Sequence, residues 1–220
     1  MKQIFKKIIP NILLDYLHWS RVSLNEKDIF INWRQKKYDE WIENGRVLPP
    51  PHAVKQYVIN NYRVKYNIKS LIETGTFRGE MIESQKVFFD EIYSIELDKT
   101  LHDKAKNTFK YFRNIKLIHG DSGEIIFKII SKIKKKSIFW LDGHYSGMDT
   151  ALGDVECPIL KELDGVFSGK IKNHILLIDD ARCFTGNNSY PTIDELYNYV
   201  LKYNKEYKME VDCDIIRFIV

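Results

Sequence analysis

The stretch Leu71-Ile72-Glu73-Thr74-Gly75-Thr76-Phe77-Arg78-Gly79 decides how this chain is read. An apolar run ends in a carboxylate, and two glycines follow, four positions apart. The pattern predicts a buried strand that stops at Glu73, a tight turn through Gly75 and Gly79, and a helix that opens near Glu80. The first amides of that helix then face whatever lies in the turn. An open α/β sheet builds a small-molecule site in this way, at the carboxyl end of a strand. Glu-x-Gly-x-x-x-Gly is not the dinucleotide pattern Gly-x-Gly-x-x-Gly, and it lacks the Lys-Ser/Thr of a phosphate-gripping loop.

Outward from this motif, short β-rich runs alternate with helical stretches. Strands are expected at Ile68–Glu73, Ile92–Leu97, Ile115–His119, Ser137–Asp142 and His174–Asp179, and helices at Glu80–Phe89, Asp98–Tyr111, Ser122–Ile133, Pro158–Phe167 and Thr192–Tyr203. Lys208–Val211 and Asp214–Val220 read as two closing strands joined through Asp212-Cys213-Asp214. Such alternation implies a doubly wound, mostly parallel sheet of seven strands with a C-terminal antiparallel hairpin, and strands without polar alternation fit burial on both faces. Pro49-Pro50-Pro51 marks a break, which divides a helical appendage over residues 1–50 from an α/β domain over residues 51–220.

In a doubly wound sheet the ligand lies outside the carboxyl ends of the strands. The five leading strands end in Glu73, in Glu96, in His119-Gly120-Asp121-Ser122, in Asp142-Gly143-His144-Tyr145 and in Asp179-Asp180. Each alone has an ordinary reading as a helix cap or turn residue; five acidic ends at one edge point to a site. Glu96 stands about twenty residues past the glycines, where a carboxylate accepts both hydroxyls of a ribose. Asp98 is the alternative there, though its place suits a helix cap, and Ser122 has a competing reading as a helix N-cap. Asp142, Asp179 and Asp180 come from adjacent strand ends. Carboxylates so close raise one another's pKa unless a cation neutralises them, and oxygen-only ligands suit Mg²⁺, Ca²⁺ or Mn²⁺ rather than zinc.

These motifs resemble those of the class I S-adenosylmethionine (SAM) dependent methyltransferases, whose first motif has the form Glu73-Thr-Gly75-Thr-Phe-Arg-Gly79. The resemblance implies that Glu73, Gly75, Thr76 and Gly79 surround the amino-acid end of SAM, Glu96 its ribose, and Asp121 with Ser122 its adenine. Trp140-Leu141-Asp142-Gly143-His144 and Leu177-Ile178-Asp179-Asp180 resemble the metal motifs of Mg²⁺-dependent O-methyltransferases of the macrocin type, which act on sugars. That likeness implies a divalent ion on Asp142, Asp179 and Asp180 that binds the acceptor's hydroxyls and acidifies one of them. His144, two positions past Asp142, is the candidate general base; the catechol-type enzymes carry a lysine three positions past that aspartate, where this chain has Tyr145. His-Tyr-Ser-Gly at 144–147, followed by Cys157-Pro158-Ile159-Leu160, resembles bacterial methyltransferase-like proteins associated with surface polysaccharides. Together these likenesses cover roughly residues 52–182. The expected function is O-methyl transfer to a sugar or glycan hydroxyl; a non-catalytic binding protein on the same fold and a metal-dependent hydrolase or oxygenase are the alternatives.

Composition narrows the field further. The chain has 220 residues, of which 44% are apolar and 29% charged, as expected of a folded domain with a sizeable core. A net charge of +4 is too mild to argue for nucleic acid as a partner. There is also no Asn/Asp-Pro-Pro-aromatic motif for base amino groups. The cluster Lys132, Lys134, Lys135 and Lys136 reads as the solvated end of a helix. Three widely spaced cysteines, Cys157, Cys183 and Cys213, argue against a disulfide framework or a zinc site and fit a reducing cytoplasm. Residues 1–19 alternate lysines with isoleucines and leucines but carry no cleavage site. They read as a helix that packs on the domain or on a second copy of the chain, or as a basic amphipathic segment on an acidic membrane surface.

Overall fold

The computed structural model describes residues 24–143 and 157–220. The expectations for residues 1–19, for His144 and for the rest of the segment up to residue 156 lie outside the described residues. Two helices precede the sheet, α1 (Leu24–Glu43) and α2 (His52–Lys65). Pro51, extended at φ −54° and ψ 144°, stands at the N-cap of α2, so the proline run ends where the helix begins. Then follow β1 (Ser70–Thr74), α3 (Glu80–Gln85), β2 (Glu91–Glu96), α4 (Lys99–Phe109), β3 (Ile115–His119) and α5 (Ser122–Ile129). The remainder is β4 (Ile138–Leu141), α6 (Ile159–Ser168), β5 (Ile175–Ile178), α7 (Ile193–Tyr203), β6 (Lys208–Asp212) and β7 (Ile215–Ile219).

The sheet runs β3-β2-β1-β4-β5-β7-β6. Strands β1 to β5 are parallel, and β7 pairs antiparallel with both β5 and β6. The order reverses between β1 and β4, the place where an open α/β sheet forms its ligand crevice. Alternate strand residues feed two cores. Ile72, Phe139, Leu176 and Phe218 pack with Ile126 of α5, Val166 of α6 and Val200 of α7. Leu71, Ile92, Trp140 and Leu177 pack with Trp41 of α1, Val58 and Ile59 of α2 and Met81 of α3. Helix α1 is also pinned through Arg34, whose guanidinium is buried, donates to the Ser84 carbonyl at 2.6 Å and lies over the Phe88 ring.

Two helices end earlier than the sequence suggests. Helix α3 stops at Gln85 rather than Phe89 because the Asn114 amide donates to the carbonyls of Lys86 and Phe89, at 2.9 and 3.0 Å, and holds that segment as a turn with Phe88 and Phe89 buried. Helix α5 gives way after Ile129 to a 3-10 turn over Ile130–Lys132, which turns Ile130 and Ile133 inward while Lys132, Lys134 and Lys135 stay exposed. Asp98 is the N-cap of α4, accepting from the Leu101 amide at 2.8 Å, and Thr192 with Glu195 forms a capping box on α7.

Candidate active site

The pleat places the acidic strand ends on one face. Leu71, Ile92, Trp140 and Leu177 all belong to the core beneath α2 and α3, and side chains two residues apart share a face. Glu73, Ser94 with Glu96, Asp142 and Asp179 continue these rows to the carboxyl edge. Four carboxylates therefore meet the same helical layer.

The glycine turn holds the first two. Gly75 and Gly79 have φ of +79° and +77°, and a Cβ added at Gly75 would stand 2.4 Å from the Asp142 carbonyl oxygen. The turn after β1 thus presses directly on the backbone after β4, which only glycine allows. Glu73 is buried and accepts from the Ser94 hydroxyl, which in turn lies 2.6 Å from the Thr76 hydroxyl. Burial pushes the Glu73 carboxyl up to about 8, and the neighbouring Glu96 adds to this against the Ser94 hydrogen bond. Glu96 binds two backbone amides, Phe77 at 2.7 Å and Asp98 at 2.8 Å. Those bonds hold Phe77 in its left-handed conformation, φ +47°.

Beyond β3, Asp121 occupies the N-cap position of α5, so Ser122 is the first helical residue rather than the cap. The Asp121 side chain makes no capping bond, and its Oδ1 is buried without a hydrogen-bond partner among the described residues. Ser122 faces the end of β4. Around Gly143, a Cβ would meet Glu162 Oε1 at 2.8 Å, Thr74 Oγ1 at 3.1 Å and Ser122 Oγ at 3.2 Å.

The other carboxylates surround a lysine. The Lys55 ammonium, on the first turn of α2, binds Asp179 Oδ2 and lies 3.4 Å from Asp180 Oδ1. The Lys55 side chain is 13% exposed and that of Asp179 1%, so the pair is shielded from water. Asp179 Oδ1 accepts from the Asp180 amide at 2.9 Å. Asp180 sits in a left-handed conformation, φ 55°, and its Oδ1 also takes the Arg182 guanidinium at 2.7 Å. Arg182 pairs with Asp214 from the β6–β7 turn as well, and the Asp214 Oδ1 accepts from the Arg182 amide at 2.9 Å. Burial, and then the charge of Asp179, push the Asp142 carboxyl well above the usual carboxylate range against the pull of Lys55. Burial raises Asp179 in the same way.

No protein-family model and no curated protein sequence matches the chain. Solved structures do. A Podospora anserina methyltransferase with bound S-adenosylhomocysteine (SAH) is 13% identical, with a TM-score of 0.52 over 96% of this chain and 88% of that one. An O-methyltransferase from Bacillus cereus in complex with SAH is 8% identical, with a TM-score of 0.52 over 92% and 96%. The MycE methyltransferase of the mycinamycin biosynthetic pathway, in complex with Mg, SAH and mycinamycin VI, is 14% identical, with a TM-score of 0.51; the match covers 74% of this chain and 48% of that one. The fold is that of the class I methyltransferases.

The methyltransferase fold implies SAM, and the residues present fit it. Near the strand-order reversal stand a turn too tight for a side chain at Gly75, the two oxygens of Glu96 and the Asp121 Oδ1, buried without a hydrogen-bond partner among the described residues. The divalent ion expected on Asp142, Asp179 and Asp180 meets a different arrangement. The structure brings the three together, but Lys55 is the cation among them. Among the described residues no group of three His, Cys, Asp or Glu side chains is placed to hold a metal.

The sequence reading passed over two residues of this region. That reading assigns a functional role to neither Lys55 nor Glu162. Each had a signal. Lys55 lies three, four and seven residues before Val58, Ile59 and Tyr62, all buried, so it shares their face. Glu162, 1% exposed, lies between Ile159 and Val166 on the buried face of α6.

Proposed function

We propose that this protein is a SAM-dependent O-methyltransferase whose acceptor is a sugar or glycan hydroxyl. The observation that supports the reading is the close approach of the Gly75 turn to the Asp142 carbonyl, which brings the glycine turn beside the acidic strand ends. SAM supplies an electrophilic methyl group on a sulfonium. Glu73, with Ser94 and Thr76, bounds the amino-acid end, Glu96 accepts from the ribose, and Asp121 with Ser122 faces the adenine. Methyl transfer is an in-line displacement, so most of the protein's work is to hold the acceptor oxygen against the reacting carbon.

The acceptor side falls to Asp142, Asp179 and Asp180, with His144 as the candidate base. The sugar class is supported by the likeness of both aspartate motifs to the macrocin-type enzymes, and by the presence of MycE, with its bound mycinamycin VI, among the structural neighbours.

Calorimetry with SAM and SAH tests the cofactor, with saturable 1:1 binding expected and a loss in Glu96→Ala. Absence of binding by the intact protein would refute the assignment. Methyl uptake from labelled SAM, screened over nucleotide sugars and glycans, tests the acceptor class.

A further inference from the structure

We infer that Lys55 is the resident cation of the acidic pocket, standing where a divalent ion would otherwise stand, and that the pocket is closed to such ions. The argument is one of committed donors. A divalent ion needs several free oxygens at short range, and Mg²⁺ in particular demands near-octahedral geometry. Here both Asp179 oxygens are engaged: Oδ2 holds the Lys55 ammonium and Oδ1 the Asp180 amide. Asp180 Oδ1 is shared between the Arg182 guanidinium and Lys55. Asp214, the next carboxylate outward, is bound by both the guanidinium and the backbone amide of Arg182. A metal ion would have to displace an ammonium, an amide and a guanidinium in turn, and it would sit against the ammonium with like charge.

The lysine is also held in place rather than merely nearby. It comes from the first turn of α2, the helix that packs on β1 and β4 through Val58 and Ile59, and its side chain is shielded from water. Two of its three donors are used on Asp179 and Asp180. The third is available to an acceptor oxygen, and this clause alone rests on reading the pocket as the acceptor site. An ammonium is a compact point charge with rotatable donors, able to orient a hydroxyl as a metal would.

Manganese binding followed by electron paramagnetic resonance tests the inference, with SAH calorimetry on the same samples as an independent readout of the cofactor site. The intact protein is expected to take up no stoichiometric Mn²⁺ at millimolar concentration, and its melting temperature to be the same in Mg²⁺ and in EDTA. Lys55→Ala is expected to gain one Mn²⁺ site per chain, at least tenfold tighter than any binding by the parent, and Lys55→Ala/Asp179→Asn to lose it again. Saturable Mn²⁺ binding by the intact protein that disappears in Asp179→Asn would overturn the inference, as would a folded Lys55→Ala that gains no site. Should Lys55→Ala fail to fold, the intact protein and Asp179→Asn still decide, since they report the metal directly. Loss of SAH binding alone would strike the methyltransferase reading and leave Lys55 untouched.

Discussion

The two halves of the crevice use the same chemical group in opposite ways. Around the glycine turn, Glu73 and Glu96 are held by neutral donors: a serine hydroxyl for one, two backbone amides for the other. Around α2, Asp179 and Asp180 are held by full positive charges, Lys55 and Arg182. A carboxylate stabilised by backbone amides leaves room for a ligand to compete, because an amide hydrogen bond has a modest net worth in water. A carboxylate locked to a buried ammonium resists exchange, because removing either partner leaves an uncompensated charge. The glycine-turn half, proposed above to hold the cofactor, therefore leaves its carboxylates open to competition, while the acidic half persists.

That contrast can be broken most severely at Asp179. Asp179→Ala leaves the Lys55 ammonium shielded and without its closest partner, and is expected to destabilise the protein by about 3–5 kcal/mol in urea unfolding. Lys55→Met/Asp179→Leu, which removes both charges, should recover most of that loss; a double variant no better than the single one would show that the pair is not the unit described. Next comes Gly75→Ala. The added Cβ meets the Asp142 carbonyl at 2.4 Å in a left-handed conformation, so a loss of roughly 2 kcal/mol or more is expected. SAH binding should go with it, and retention of full affinity would show that the turn does not form the cofactor wall.

Glu96→Gln should cost less. One amide keeps an acceptor and the other faces an amide nitrogen, a penalty of about 1–3 kcal/mol, with SAH affinity reduced about tenfold or more by calorimetry. The effect at Glu73 reads as a pH slope. The folded carboxyl titrates near about 8, against about 4.3 in an unfolded chain. The stability associated with the neutral acid is present below about 4.3 and is lost as pH rises through about 8. The melting temperature of the parent should therefore decline across this window, and Glu73→Gln should flatten the decline. A parent curve that rises instead would mean that Glu73 is ionised in the folded protein.

The fold was largely legible because its signals are local. Each strand is a short apolar run, each turn carries its Gly or Asp, and the β6–β7 hairpin follows from Asp212-Cys213-Asp214. Where helices were drawn too long, the cause was distant: the amide of Asn114 stops α3 from a position well outside any window that contains Phe89. The site divides along the same line. Glu73, Glu96, Asp142 and Asp179 were visible because pleat and strand end together fix where they stand. Lys55 was not, since what makes it special is Asp179, more than a hundred positions away. No helix among the described residues is long and apolar enough to cross a membrane.

The Lys55–Asp179 pair also bears on how the protein comes to its shape. Its partners are 124 positions apart, whereas Ser94 and Glu73 are separated by 21 and Phe77 and Glu96 by 19. Long loops are slow to close and short ones quick. A growing chain that has emerged only as far as β3 already contains the hydrogen-bond partners of Glu73 and Glu96. The acidic pocket must wait until the chain has passed β5 and returned to the helix that was made before the sheet began. The pairing of α2 with β5 thus closes a much longer loop than the contacts of the glycine turn do.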